Sequence, residues 1–182
     1  MKTLIFNGSP RKNGDTAALV NELTKHLEGD IKVVNTYTAK ISPCTDCRYC
    51  WKNDGCIIDD EMQTVYKDID DADNIVIASP IFFSELTGPL LSVASRLQQI
   101  WISEKVKNIK VLKEKERKGF VVLVGGGDGK PGKALGTAKI IIKHMGTSFV
   151  DSVISHNTDE VPAKDDISAI ENIKRIAQMM RE

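Results

Sequence analysis

The chain has 182 residues, a length that favours one domain and suffices to bury a real core. Its 25 lysine and arginine residues balance 25 aspartate and glutamate residues, so no basic excess marks a nucleic-acid-binding surface. No stretch reaches the ~18–20 apolar residues of a membrane span, and the N-terminus opens on a strand pattern without a charged-then-apolar leader. A cytoplasmic protein with reduced thiols is therefore expected. Lys105, Lys107, Lys110, Lys113, Lys115, Arg117 and Lys118 form the one basic run, but Glu104, Glu114 and Glu116 interrupt it, so it reads as solvated surface.

In chain order, Lys2–Asn7 is a β-like run and Gly8–Asp15 a polar loop. Thr16–Leu27 reads as an amphipathic helix, with Ala17, Val20, Leu23 and Leu27 on one face and Gly29 as its stop. Ile31–Thr36 is a second strand. Ser42–Asp60 is cysteine-rich and irregular, and Glu61–Ile69 is helical, with Asp60 as its cap. Asn74–Ala78 is near-continuously apolar, as expected of a strand buried on both faces. Leu86–Ile102 reads as one helix, Gly119–Val124 as a second buried strand, Gly132–His144 as a helix, Thr147–Ile154 as a last strand and Asp165–Met180 as a closing helix. Strands separated by helices imply βαβ units, a parallel sheet and a doubly wound three-layer α/β sandwich. Such folds bind ligands beyond the carboxyl ends of their strands. The loops after strands one, three and four therefore carry most of the functional information.

The first of these loops, Gly8 to Thr16, runs straight into a helix. A helix N-terminus exposes unpaired N–H groups and the positive end of the dipole, which together attract anions. Ser9 and Thr16 can donate hydroxyl hydrogen bonds, and Arg11 or Lys12 can add charge. The loop lacks the Gly-Lys-Ser/Thr end of a Walker loop and the Gly-x-Gly-x-x-Gly of a dinucleotide site. An ordinary polar βα loop remains the plain alternative.

All four cysteines fall within thirteen positions, as C-x2-C-x2-C-x5-C from Cys44 to Cys56. Four thiolates are the usual ligand set of an iron–sulfur cluster, and C-x2-C-x2-C runs are of bacterial ferredoxin style. Zinc is less well matched, because its sites pair cysteines across a longer spacer. A dithiol or a metal-free segment stays open. His26, His144 and His156 share no spacing with the cysteines and read as structural.

Phe6-Asn7-Gly8-Ser9-Pro10-Arg11-Lys12-Asn13-Gly14-Asp15-Thr16 resembles the first FMN-binding loop of flavodoxin-like NAD(P)H-dependent FMN reductases. Asp71 to Phe83 is similar to that family's stretch of aspartate, apolar strand and Ser/Thr-Pro-x-aromatic. Gly125-Gly126-Gly127-Asp128 matches its glycine-rich loop by the flavin ring. The cysteine segment resembles the insertion of the iron–sulfur flavoprotein branch. One departure stands out: Arg96 keeps an arginine of the helix that follows the second landmark, but the family's lysine and its aspartate before the arginine are replaced.

The resemblance implies a single flavodoxin-like domain over residues 1–182, with sheet order 2-1-3-4-5 and a cysteine-rich insertion at residues 42–60. It implies FMN held by Ser9, Pro10, Arg11, Asn13, Gly14, Asp15 and Thr16, by Ser79, Pro80, Ile81, Phe82 and Phe83, and by Gly125, Gly126, Gly127 and Asp128. Phe82 is the stronger aromatic candidate for the ring. Backbone N–H groups of Gly125–Gly127 would face the flavin N1/C2 edge. Cys44, Cys47, Cys50 and Cys56 would ligate a [4Fe–4S] cluster that exchanges electrons with the flavin.

The expected function is that of an FMN-dependent oxidoreductase or electron-transfer flavoprotein, with no essential acid–base residue in the protein itself. Its partners would be a small-molecule or ferredoxin-like donor and acceptor, and the chain would form a homodimer or homotetramer. One alternative is a cluster-free NAD(P)H-dependent FMN or quinone reductase. The other is a zinc-stabilised binding module without flavin or enzymatic activity. A response-regulator-like phosphorylation site is excluded, since strand three ends in Ala78-Ser79-Pro80 with no aspartate.

Overall fold

The structure, a computed structural model, describes residues 1–127 and 129–182. Its strands are β1 (Lys2–Asn7), β2 (Asp30–Asn35), β3 (Asn74–Pro80), β4 (Lys118–Val124) and β5 (Ser148–Ser155). All pair in parallel in the order β2-β1-β3-β4-β5. The helices are α1 (Asp15–Lys25), α2 (Tyr49–Lys52), α3 (Met62–Asp71), α4 (Gly88–Ser95), α5 (Gln98–Trp101), α6 (Gly132–His144) and α7 (Ile167–Arg181). No described helix is long and apolar enough to cross a membrane.

The apolar runs of β1, β3 and β4 have alternate residues on opposite faces, and both faces are covered. Leu4, Phe6, Ile75, Ile77, Val121 and Leu123 pack with α3, α4 and α6 on one side. Ile5, Val76, Ala78, Phe120, Val122 and Val153 pack with α1 and α7 on the other. The result is the flavodoxin-like three-layer sandwich, with its loops gathered at the carboxyl ends of the strands.

Gly8 lets β1 approach α4 closely. A Cβ there would lie 2.9 Å from Thr87 Oγ1 and 3.1 Å from Leu90 Cδ2 and Ser79 Oγ. Its N–H donates to Ala78 at 2.7 Å and its carbonyl accepts the Thr87 hydroxyl at 2.9 Å.

Most element boundaries fall within one or two residues of the sequence reading. The helix expected over Leu86–Ile102 differs. It divides into α4 and α5 around Arg96 and Leu97, then continues as a π-helical turn at Ile102–Val106. At the division the backbone tightens to three-residue hydrogen bonds, Arg96 N–H to the Val93 carbonyl and Leu97 N–H to the Ala94 carbonyl, and the Arg96 side chain there is wholly enclosed and turned toward the segment after β2.

Candidate functional site

Two concavities carry the predicted residues. The first is a cleft of about 230 Å³ at the carboxyl ends of the strands. Ser9, Pro10, Arg11, Gly14, Asp15 and Thr16 line it from the β1–α1 loop; Pro80, Ile81 and Phe82 do so from β3 and the turn after it. Gly126 closes the far side with Val124, Thr158 and Asp159. Its place beyond the strands' carboxyl ends is where doubly wound folds bind their ligands.

The cleft's anion-binding end is built from backbone. No side chain caps α1. Among the described residues, the N–H groups of Asp15, Thr16 and Ala17 have no protein acceptor, and Arg11 pairs with no carboxylate. Unspent helix-terminal donors beside a free guanidinium suit a phosphate. Ser9 works differently from the expectation. Its hydroxyl donates to the Arg11 carbonyl at 3.1 Å and accepts the Arg11 N–H at 3.2 Å, while its own N–H donates to Asn7 Oδ1 at 2.9 Å. Ser9 and Asn7 therefore shape the loop. The Asp15 carboxylate accepts the Ala163 N–H at 2.8 Å and ties this loop to the one after β5.

The remaining predicted residues are placed around the cleft rather than in it. Asn13 is exposed on the loop. Ser79 is fully buried; its hydroxyl donates to the Pro80 carbonyl and accepts the Thr87 N–H, so it braces the cleft from beneath. Phe82 and Glu85 exchange backbone hydrogen bonds across a two-residue turn, with Phe83 and Ser84 in the left-handed region at φ 52° and 61°. Phe82 thus lines the cleft and Phe83 projects fully into solvent.

The glycine loop corrects a second expectation. Gly125 donates its N–H to the Ser155 carbonyl at 2.8 Å, so that donor is spent within the protein. The N–H groups of Gly126 and Gly127 have no acceptor among the described residues. Asp128 lies outside the described residues.

Thr158 and Asp159 were not anticipated. Their N–H groups donate to the Gly125 and Gly126 carbonyls, and a Cβ on Gly126 would stand 2.7 Å from the Asp159 carboxylate. The signal was present in the topology, because the loop after β5 also opens at the strands' carboxyl ends.

The second concavity is a small hollow of about 20 Å³ lined by all four cysteines, together with Tyr49, Trp51 and Arg96 among others. The four are free thiols. Asp46 and Arg48 lie in the left-handed region at φ 50° and 58°, coiling the chain between Cys44 and Cys50. Burial pushes the Cys50 thiol up, and Cys56, Cys44 and Cys47 add to the rise by their proximity. The donor set is that of a sulfur-ligated metal group in chemistry alone. Among the described residues, no three His, Cys, Asp or Glu side chains are drawn into a coordination geometry.

Neighbouring elements anchor this segment. Cys44 donates its N–H to Ser95 Oγ at 2.9 Å, and Gln63 Nε2 donates to the Cys56 and Ile58 carbonyls at 3.0 and 2.8 Å. Lys107 Nζ donates to the Asn53 carbonyl at 2.7 Å and to Asp54 at 3.0 Å. Asp60 does more than begin a helix: Oδ1 accepts the Met62 N–H and Oδ2 meets Arg96 at 2.7 Å. Burial works to raise the Asp60 carboxyl, but the Arg96 guanidinium and the N–H groups of Ser42 and Met62 outweigh it and hold it below its ordinary value.

Residues 1–160 match the family model described as NADPH-dependent FMN reductase. The chain belongs to that family. An iron–sulfur flavoprotein of Methanocaldococcus jannaschii is 34% identical over 130 residues, covering 69% of this chain and 62% of that protein. An iron–sulfur flavoprotein of Archaeoglobus fulgidus is 25% identical over 149 residues, covering 80% and 64%. The chain thus spans less than two thirds of the length of these two family relatives. The fold is shared with an FMN-dependent NADH-azoreductase from Bacillus anthracis solved with FMN, at TM-score 0.71, 15% identity and full coverage of both chains. It is also shared with an NAD(P)H:quinone oxidoreductase from Methanothermobacter marburgensis, at TM-score 0.71 and 15% identity, covering 100% of this chain and 96% of that one.

Proposed function

We propose that the protein is an FMN-dependent oxidoreductase of one domain, with the cysteine segment 42–60 as an insertion that holds a [4Fe–4S] cluster. The observation that carries the reading is the uncapped start of α1 opening into the cleft beside Arg11, within the family's own span of the chain. In this reading the α1 N–H groups, the Thr16 hydroxyl and Arg11 hold the FMN phosphate. Pro80, Ile81 and Phe82 form an apolar wall for the ring, and the Gly126 and Gly127 N–H groups stabilise negative charge at its edge. The flavin supplies the electron chemistry when bound. The protein binds it, orients it and excludes water from one face. Cys44, Cys47, Cys50 and Cys56 are the proposed cluster ligands. The donor and acceptor are small molecules or a ferredoxin-like protein, and the working form is a cytoplasmic homo-oligomer.

A second reading is a cluster-free reductase that takes hydride from NAD(P)H. The family description favours it, as does the lack of a coordination geometry among the described residues. An anaerobic visible spectrum of freshly purified protein, with iron and sulfide assayed on the same sample, decides between them. Flavin bands with about four irons per chain support the cluster reading. Flavin without iron supports the second, and a colourless protein that takes up no added FMN overturns both.

A further inference from the structure

Arg96 is among the least exposed side chains of the protein, yet it lines the cysteine hollow. Its Nη1 donates to the Ser42 carbonyl at 2.9 Å and to Asp60 Oδ2 at 2.7 Å, and its Nη2 donates to the Ile58 carbonyl at 3.2 Å. Ser42 precedes Cys44 and Ile58 follows Cys56, so one guanidinium closes the segment at both ends. The Arg96 carbonyl accepts the Tyr66 hydroxyl at 2.7 Å, and its neighbour Ser95 receives the Cys44 N–H. Among the described residues, the buried Nε has no acceptor.

A buried charge normally spends all its donors. Arg96 instead spends its two terminal nitrogens on the ends of the cysteine segment and on Asp60. The planar fork reaches three acceptors in fixed directions, which the single ammonium of lysine cannot do.

We propose that Arg96 is the positioning residue of the cysteine set: it holds the two ends of segment 42–58 together, and so keeps Cys44, Cys50 and Cys56 turned into one hollow. The inference deepens the reading of these thiols as ligands and rests on it for its purpose, but the clamp itself is testable without metal. Cys47 is exposed and the other three are only partly exposed, which provides an internal control.

The experiment labels metal-free protein with an alkylating reagent and follows each cysteine by peptide mass spectrometry, in the wild type, Arg96→Met and Arg96→Lys. Cooperative thermal unfolding is recorded on the same samples. In the wild type Cys44, Cys50 and Cys56 label about tenfold more slowly than Cys47, and in both variants the four rates converge while cooperative unfolding persists. Failure of lysine to restore the contrast assigns the effect to the fork rather than to the charge.

The inference is overturned if the contrast is absent from the wild type or survives in both variants. Restoration by lysine also overturns it. So does loss of cooperative unfolding in both variants, which makes Arg96 a residue of the whole fold. Cobalt(II) titrated into the same metal-free samples keeps the two readings apart. Thiolate charge-transfer absorbance in the wild type that weakens in the variants supports both. Equal absorbance in all three overturns the clamp. No absorbance in the wild type counts against the cysteines as ligands and leaves the labelling contrast to decide on Arg96.

Discussion

The cleft and the cysteine hollow lie at opposite ends of α4, and they are held in different ways. At its start, Thr87 bonds to the Gly8 carbonyl and to Ser79 beneath the cleft; at its end, Ser95 and Arg96 grip the cysteine segment. The cleft is made of strand ends and a helix terminus, so the sheet core fixes it before any ligand arrives. The hollow is made of a segment with one short helix, fixed by a buried ion pair, carbonyl contacts and two left-handed residues. Backbone sites inherit the stability of the sheet. A side-chain-pinned segment can open by itself, as locally unstable regions do.

The change with the largest effect should act on both regions. Ile77 is fully buried in β3 beneath them, and Ile77→Ala should cost about 2–5 kcal/mol. The free energy of denaturant unfolding should fall by that amount, with flavin uptake lost in the global transition and cysteine protection lost no later than it. Cysteine protection that outlasts the global transition would mean that the hollow is not built on the sheet.

Arg11→Ala should separate the regions from the cleft side. Removing a charge-assisted contact costs about 1.5–3 kcal/mol, so FMN affinity measured by fluorescence quenching should weaken roughly ten- to hundredfold. The labelling rates of the cysteines should not change. Unaltered affinity would place the phosphate elsewhere.

Acid should separate them from the other side. The Asp60 carboxyl is held below its ordinary value of about 3.9, so its charge stabilises the segment above that pH. The stabilisation is lost as pH falls through the lowered folded-state value. Hydrogen-exchange protection of residues 42–60 should stay level from pH 7 down to about 5 and drop below about 4. Asp60→Asn should abolish the drop by lowering protection at every pH. A drop of the same size in that variant would assign the transition to another carboxylate.

The smallest effect is expected at Phe83, whose side chain is fully exposed on a left-handed backbone. Phe83→Gly relieves that strain and should stabilise the protein by about 0.5–1 kcal/mol without weakening FMN binding. A marked loss of affinity would show that Phe83 swings over the cleft.

The sequence by itself determined the sheet, its order of elements and the neighbourhood of the cleft. β1, β3 and β4 are apolar without alternation, and the polar loop at Gly8–Thr16 leads directly into a helix. Those are local patterns with local causes. It also placed four cysteines within thirteen positions. What only the tertiary structure decided was how side chains share their hydrogen bonds. Ser9 is spent on its own loop, Gly125 on Ser155 and Asp60 on Arg96, and Thr158 and Asp159 join the cleft from a loop more than a hundred residues after Gly8. The helical pattern of Leu86–Ile102 divides at Arg96, whose side chain is spent on Ser42, Ile58 and Asp60. A buried polar group must find partners, and those partners come from chain that is distant in sequence. Periodicity reads which face of an element is buried, but it cannot name the acceptor waiting there.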